Sequence, residues 1–390
     1  MVIFLWQNIG LKECLHLTLS MKVCHIGFSR YPGIGSVAMY EYSRNLARLG
    51  IDVQVIAAGE TDTKEKEIDG VTVLFIKSSS VKNLSMYPFL FLVRVYRYLK
   101  RVPDSAYDIV HVYHFPGSSS FPFLLRGKGK KWIFFTTSGP IRGGVTSRIG
   151  WSIQSAESRL FDHIILRDKS HTSPFSYTKD ITIVPIGADF NRFSPGKSHM
   201  RDRYSVDPDE FLFLYVGNLH PARRIETVIE ALKMVNEKRE AKLMLVGNGG
   251  TKRLKKYAKD LKVSSQVIFT GSIPYEEIPL YMRCCNVFLS YVPVTPEFDI
   301  QPPLKTVEAL ACGLPVIATD TLGNRRFVNH RENGFLSGDD VLSVRNSMVT
   351  LMENESLRKE LKKNARPSAQ TYDWETIVRD KLLPAYEKLI

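Results

Sequence analysis

Lys305 and Glu308 stand three residues apart in the stretch Glu297–Thr319, which reads EFDIQPPLKTVEALACGLPVIAT. Pro302 and Pro303 end an irregular loop, a short helix is expected over Leu304–Cys312, and an apolar strand follows from Val316. Glycine at the helix C-cap, here Gly313, with proline just beyond it makes a sharp stop. Residues three apart on a helix are neighbours. A lysine beside the free N–H groups of a helix start suits a phosphate, and a carboxylate one turn on suits a pair of sugar hydroxyls. Glu297 and Asp299, close together in the preceding loop, are candidates for paired-carboxylate hydrolysis, with solvated loop acids as the plain alternative.

A second set lies upstream. Gly217 and Asn218 end an apolar strand, and six residues on come Arg223 and Arg224, at the opening of a helix expected over Arg224–Glu237. Cations at a helix N-terminus oppose the macrodipole; a bound diphosphate would relieve that conflict, and ordinary surface charge is the alternative. The loop PGIGSVA (Pro32–Ala38) carries a GxGxxA pattern after a strand, as a dinucleotide fingerprint would. Four residues separate Phe28 from Gly33, however, and the acid available for a ribose, Glu60, lies beyond a small Ala-Gly loop. A nicotinamide enzyme is therefore only a third reading, set against a flexible turn before a helix capped by Ser36. His111 and His114 end a strand where a substrate hydroxyl could be met, a satisfied structural role being the alternative. Asp207-Pro208-Asp209 is the only DxD and reads as a turn, so no metal site is expected.

The elements that must position these residues fit two domains, since 390 residues exceed one ordinary core. The net charge of +13 is unevenly spread, with 24 basic against 15 acidic residues over 1–195 and 29 against 25 beyond. A basic first half favours anionic partners, or is a solubilising surface. The five cysteines show no CxxC pair or zinc-like spacing, which reads as reduced, buried thiols. No apolar run approaches the roughly 18 residues of a spanning helix. Residues 1–20 lack a basic n-region, are interrupted by Lys12 and Glu13, and fail as a signal peptide; Met21 directly precedes a good strand, so they are read as an uncertain extension.

Short apolar runs at Lys22–Phe28, Val53–Ala57, Val71–Ile76, Ile109–His114, Trp132–Thr136, Ile164–Arg167 and Ile181–Pro185 alternate with helical stretches. Gly, Pro and polar residues then cluster to Asp209, and the pattern restarts with strands at Phe211–Val216, Lys242–Val246, Val267–Thr270 and Val287–Ser290. Two such halves predict doubly wound α/β sheets with a ligand at the strand C-termini. In the helix of residues 87–102, Arg94, Arg97 and Arg101 share one face and Leu92, Val95, Tyr96 and Leu99 the other. This is a sheet-covering helix with a basic edge, docking on an anionic membrane being the minority reading.

In order and spacing, PGIGSVA, PIGADFNRFSP, VGNLHPARRIETVIEA, LMLVGNGG, VIFTGSIPYEEIPLYMRCCNVFLS, PPLKTVEALACGLPVIATD, NGFL (Asn333–Leu336) and a terminal Trp374-containing helix resemble the retaining family 4 glycosyltransferases of GT-B fold, from Met21 onward. The resemblance implies an α/β GT-B architecture, two Rossmann-like doubly wound domains facing each other across a cleft. Residues 21–195 would bind the acceptor, 196–209 form the interdomain linker, 210–372 bind the nucleotide-sugar donor, and 373–390 form a C-terminal helix packing back toward the first domain. It implies transfer of a sugar, with retention, from a nucleotide-diphosphate sugar to a glycan, lipid-linked or small-molecule acceptor. No metal, cofactor or nucleic acid enters, and the location is cytoplasmic, with peripheral contact on the inner face of an anionic membrane.

Residue by residue, Gly33, Gly35 and Ser36 would approach the donor phosphates, and Gly217, Gly247 and Leu304 would line the donor. Arg223 and Lys305 would grip the diphosphate, with Asn218 standing where the family usually has a first cation. Glu308 would hold the ribose hydroxyls, the backbone at Ile273 would line the base, and His114 and Ser138 fall on the acceptor side. The family's other glutamate, eight residues before Glu308, falls on Ile300, which leaves Glu297 or Asp299 as substitutes. Gln301, Pro302 and Pro303 replace the usual glycines and remove two N–H donors. A non-catalytic GT-B-like protein binding an anionic glycan or lipid is the reading from another class.

Overall fold

A computed structural model describes residues 21–33, 36–59, 64–78, 87–127, 129–136, 145–178 and 180–390. Residues 1–20, Gly35 and Ser138 lie outside these, as does the side chain of Glu297. The chain forms two compact units, Met1–Ile186 with Trp374–Ile390, and Gly187–Asp373.

The first unit is built on β1 (Lys22–Gly27), β2 (Asp52–Gly59), β3 (Lys64–Ile68), β4 (Val71–Lys77), β5 (Ile109–Tyr113), β6 (Lys131–Thr136), β7 (His163–Leu166) and β8 (Ile181–Ile183), in the spatial order β3-β4-β2-β1-β5-β6-β7-β8. Every pairing is parallel except β3 with β4. Parallel strands are covered on both faces and read as continuous apolar runs, as β5 and β7 do, with every residue buried. The edge strand β3 (KEKEI) was not expected; its charges carry no apolar period and blunt a free edge.

Helix Tyr87–Leu99 buries Phe91, Val95 and Leu99 on the sheet, one turn apart. The basic edge is narrower than the helical projection implies. Arg94 Nη1 donates to the Lys77 carbonyl at 2.7 Å, which leaves Arg97, Lys100 and Arg101 as the exposed cations. Ser36 is also reassigned. Its hydroxyl donates to the Arg30 and Gly33 carbonyls, at 2.6 and 3.1 Å, and makes no cap on helix Val37–Arg48.

The C-terminal helical segment from Trp374 to Glu387 completes this unit. Trp374 meets Tyr42 edge to face at 5.6 Å, and the Tyr386 hydroxyl lies between His25 Nε2, at 3.1 Å, and His111 Nδ1. Burial holds His25 down at about 3, and burial plus the neighbouring His25 holds His111 well below the usual imidazole range.

The second unit carries β9 (Phe211–Val216), β10 (Ala241–Val246), β11 (Val267–Gly271), β12 (Val287–Ser290), β13 (Val316–Thr319) and β14 (Phe335–Ser337), all parallel, in the order β11-β10-β9-β12-β13-β14. Helices Glu226–Asn236 and Val341–Glu353 cover one face through Leu232, Met348 and Leu351. The segment 196–209, expected as a linker, is part of this unit. Ser198 Oγ donates to the Leu280 carbonyl at 2.6 Å, and Arg201 binds the Cys284 carbonyl and the Asn286 side chain at 2.8 Å each.

Neutral buried histidines make stability pH-dependent. Below pH 6.5 the unfolded chain protonates both imidazoles, while the fold keeps His25 neutral down to about pH 3. The unfolded state therefore binds more protons, and stability falls as pH falls, by up to about 1.4 kcal/mol per pH unit for each histidine. Urea unfolding at pH 7, 6 and 5 should show this decline, and His25→Gln should flatten it by about one histidine's share.

Candidate active site

In the second sheet the order reverses between β9 and β12, so crossovers leave on opposite sides and the strand C-termini open there. The loop after β9 is held to the loop after β10 by backbone contact. Gly217 N–H donates to the Val246 carbonyl at 2.9 Å. Gly247 has φ +147, and a Cβ on it would fall 1.8 Å from the Gly217 carbonyl oxygen, so only glycine permits this approach. Asn218 Oδ1 accepts the His220 N–H at 2.8 Å, which ties the turn. Arg223 then lies in a single 3-10 turn, Pro221–Arg223, which Arg224 ends at φ 48; the helix begins at Glu226, not Arg224. The Arg223 guanidinium stands 4.2 Å over the Phe298 ring, and no carboxylate pairs with it among the described residues.

Beyond β12, Pro296–Asp299 forms one helical turn where an irregular loop was expected, with Thr295 Oγ1 accepting the Phe298 N–H. Asp299 is engaged structurally. Its Oδ1 accepts the Leu322 N–H at 3.0 Å and its carbonyl accepts the Gly323 N–H at 2.7 Å. Helix Leu304–Ala311 follows and stops at Gly313, φ +72, as its glycine and proline require. Its first turn is pinned by a buried polar cluster. Thr306 Oγ1 meets Ser290 Oγ at 2.5 Å and Asn324 Oδ1 at 2.8 Å, and Asn324 Nδ2 donates to the Thr319 carbonyl at 2.9 Å.

That anchoring fixes Lys305 and Glu308. Glu308 is fully buried, which a carboxylate tolerates only when paired and hydrogen-bonded. Tyr275 OH donates to its Oε1 at 2.7 Å, and Lys305 Nζ lies 2.8 Å from its Oε2 and 4.7 Å from the centre of the Tyr275 ring. Tyr275 also packs on Phe193 and beneath Arg192, and it follows half-buried Ile273 in the loop after β11. The structure thus brings together Lys305, Glu308 and a tyrosine that sequence reading passed over; the YEE turn carries no charge signal for a contact 33 residues away. Asp207 and Asp209 precede β9, at the N-terminal end of the sheet, away from this opening.

In the first unit the order reverses between β1 and β5. A cavity of about 90 Å³ opens at their C-terminal ends, lined by Ser29, Ser36, Tyr113, His114 and Arg167 among others. His114 Nε2 is 2.5 Å from Glu157 Oε2, and Glu157 Oε1 accepts the Gly117 N–H at 2.9 Å. Burial raises the Glu157 carboxyl, but the bonds from His114, Gly117 N–H and Ser119, with the attraction to His114, outweigh it and hold the group below its usual range. Gly33 sits one turn before Ser36, whose N–H its carbonyl accepts at 3.0 Å.

Residues 35–167 match the family described as Glycosyltransferase Family 4, and residues 197–368 match Glycosyl transferases group 1. The chain is 25% identical over 199 residues to N-acetyl-alpha-D-glucosaminyl L-malate synthase of Bacillus anthracis, which covers 50% of this chain and 49% of that relative. It is 22% identical over 397 residues to D-inositol 3-phosphate glycosyltransferase of Xylanimonas cellulosilytica, covering 92% of this chain and 93% of the relative. Among solved structures, HepE of Anabaena in complex with UDP-glucose superposes with a TM-score of 0.75 at 18% identity, covering 95% of this chain and 99% of the other.

A charge-assisted bond to a buried carboxylate contributes about 1.5–3 kcal/mol. Tyr275→Phe, which removes only the hydroxyl, should lower unfolding stability by that order in urea titration. A loss below about 0.5 kcal/mol would mean that Glu308 Oε1 finds its partner elsewhere.

Proposed function

Because the chain belongs to the group 1 glycosyltransferases of family 4, with the GT-B fold, we propose that it moves a sugar from a nucleoside-diphosphate sugar to an acceptor with retention of anomeric configuration. The observation that carries this is the pairing of buried Glu308 with Lys305 and Tyr275 at the β9/β12 opening, where Arg223 also projects. Two cations on the loops of one opening suit a diphosphate, and the UDP-glucose bound to HepE supports a donor of that class.

The chemistry follows from charge. Breaking the bond between the anomeric carbon and the phosphate oxygen places growing negative charge on the nucleoside diphosphate. Arg223 has five donors and Lys305 three, the latter held 2.8 Å from Glu308 Oε2 as an ion pair. The donors that do not face Glu308 are free to stabilise that charge without a resident metal. Glu308 has lone pairs left over from Tyr275 and Lys305 and takes the ribose hydroxyls. The leaving phosphate itself then assists attack on the same face of the sugar, which gives retention. The acceptor, a glycan, a lipid-linked sugar or a small molecule, is held by the first unit.

One observation favours a non-catalytic sugar-nucleotide binder. Ile300 stands at the family's other glutamate position, and the Asp299 carboxylate beside it already accepts the Leu322 N–H through Oδ1. The release of nucleoside diphosphate from donor sugars separates the two readings. Glu308→Gln and Arg223→Ala should each slow it by roughly 10²-fold. Unchanged turnover in both would sink the site assignment, and binding without release across donors would favour the binder.

No helix among the described residues is long and apolar enough to cross a membrane. A peripheral contact is proposed for the exposed Arg97, Lys100 and Arg101, at the end of the helix that also carries Phe89, 60% exposed. Reversing the charge of Arg97 and Arg101 should abolish co-sedimentation with vesicles rich in anionic lipid; an unaltered bound fraction rejects the contact.

A further inference from the structure

Arg167 follows β7 and enters the cavity at the C-terminal ends of β1 and β5. Its Nε is buried and without a hydrogen-bond partner, and no carboxylate pairs with the guanidinium among the described residues. Its neighbours are aromatic or neutral. The Phe135 ring centre lies 6.0 Å from it, and the phenols of Tyr42 and Tyr113 are kept protonated by burial. No acid is among the described residues that line the cavity, and Glu157, the partner of the lining residue His114, is bound to Gly117 N–H and Ser119 as well. Burial without a counter-charge pushes the Arg167 pKa down from its ordinary value. Arg167 is half-buried as a whole; a partly desolvated cation favours a counter-charge, and no ion pair is formed with it among the described residues. What remains is space of about 90 Å³, enough for a small polyatomic group.

We propose that Arg167 and this cavity are the anchoring subsite for one anionic group, a phosphate or a carboxylate, on the acceptor. The proposal rests on the reading that the first unit holds the acceptor, and it adds that the acceptor is negatively charged. The planar guanidinium has donors for two oxygens of such a group. The hydroxyl of Tyr113, lining the same cavity, supplies a neutral donor. The position at the β1/β5 reversal is where a doubly wound sheet opens to a ligand.

Thermal midpoints of the full chain carrying Arg223→Ala, which removes the donor-side cation, are measured against inorganic phosphate and against malonate at constant ionic strength. A saturable rise is expected with at least one of them. Phosphate acting alone identifies a phosphoryl group, and malonate acting alone a carboxylate. Adding Arg167→Met should weaken that binding roughly 10- to 100-fold, while Arg167→Lys retains part of it. Ala38→Asp, which places a carboxylate in the cavity and leaves Arg167 in place, should abolish the rise and guards against misfolding of the methionine variant. No rise with either anion, or a rise that survives both Arg167→Met and Ala38→Asp, overturns the proposal. The titration uses no donor sugar. Failure of the transferase reading would appear as unchanged nucleoside-diphosphate release in the Glu308 and Arg223 variants, independently of this result.

Discussion

Parallel pairing is the constraint on which both halves of the molecule depend. Parallel neighbours require a crossover between them, so the loops that follow the parallel strands emerge at the same end of each sheet, the antiparallel edge strand β3 apart. Where the order reverses, β1 against β5 and β9 against β12, the crossovers depart to opposite faces and nothing fills the gap. The residues best able to meet a ligand all lie on loops or helix starts beside these gaps. Ser36, His114 and Arg167 stand at the first, and Gly217, Arg223, Lys305 and Glu308 at the second. The chemistry was not grafted onto an indifferent scaffold; the strand order left two places for it.

Much of that scaffold was legible because its signals are local. Phe211–Val216 and Val287–Ser290 are strands over the residues expected, since buried parallel strands are short apolar runs between punctuating residues. Gly313 ends its helix for a reason visible in two letters of sequence. Lys64–Ile68 was illegible because an edge strand is selected against stickiness and shows charge where an inner strand shows Val and Ile. Ser36 illustrates a different failure. A serine before a helix has the right type for a cap, yet its hydroxyl goes to the Arg30 and Gly33 carbonyls, and no residue type announces which of two carbonyls or an N–H it will choose.

The site divides in the same way. Lys305 and Glu308 meet across one helical turn, so their contact was implied by spacing. Tyr275 meets Glu308 from another loop, and Asn324 fixes Thr306 from a third. Such contacts depend on the sheet order, which no short window of sequence contains. Asp299 was the converse case, an acid of suitable type near the suitable place whose Oδ1 accepts the Leu322 N–H and whose carbonyl accepts the Gly323 N–H.

Arg223 and Arg167, the arginines at the two openings, share an electrostatic logic. A surface lysine or arginine with a carboxylate partner, such as Arg325 with Asp320, has its charge largely compensated before any ligand arrives. Arg223 faces the Phe298 ring and Arg167 the Phe135 ring, at 4.2 and 6.0 Å. A ring face stabilises a cation modestly, by about 0.5–1 kcal/mol at exposed sites, and occupies none of its N–H donors. An aromatic neighbour therefore orients a guanidinium while leaving its hydrogen-bonding capacity free, whereas a carboxylate would orient it by consuming that capacity. Lys305 is intermediate. It forms an ion pair with Glu308 at 2.8 Å, and because Glu308 is itself fully buried the lysine is held in place by the group whose burial it makes tolerable. A phosphate arriving there meets a cation already aimed, and need not displace the carboxylate to be bound.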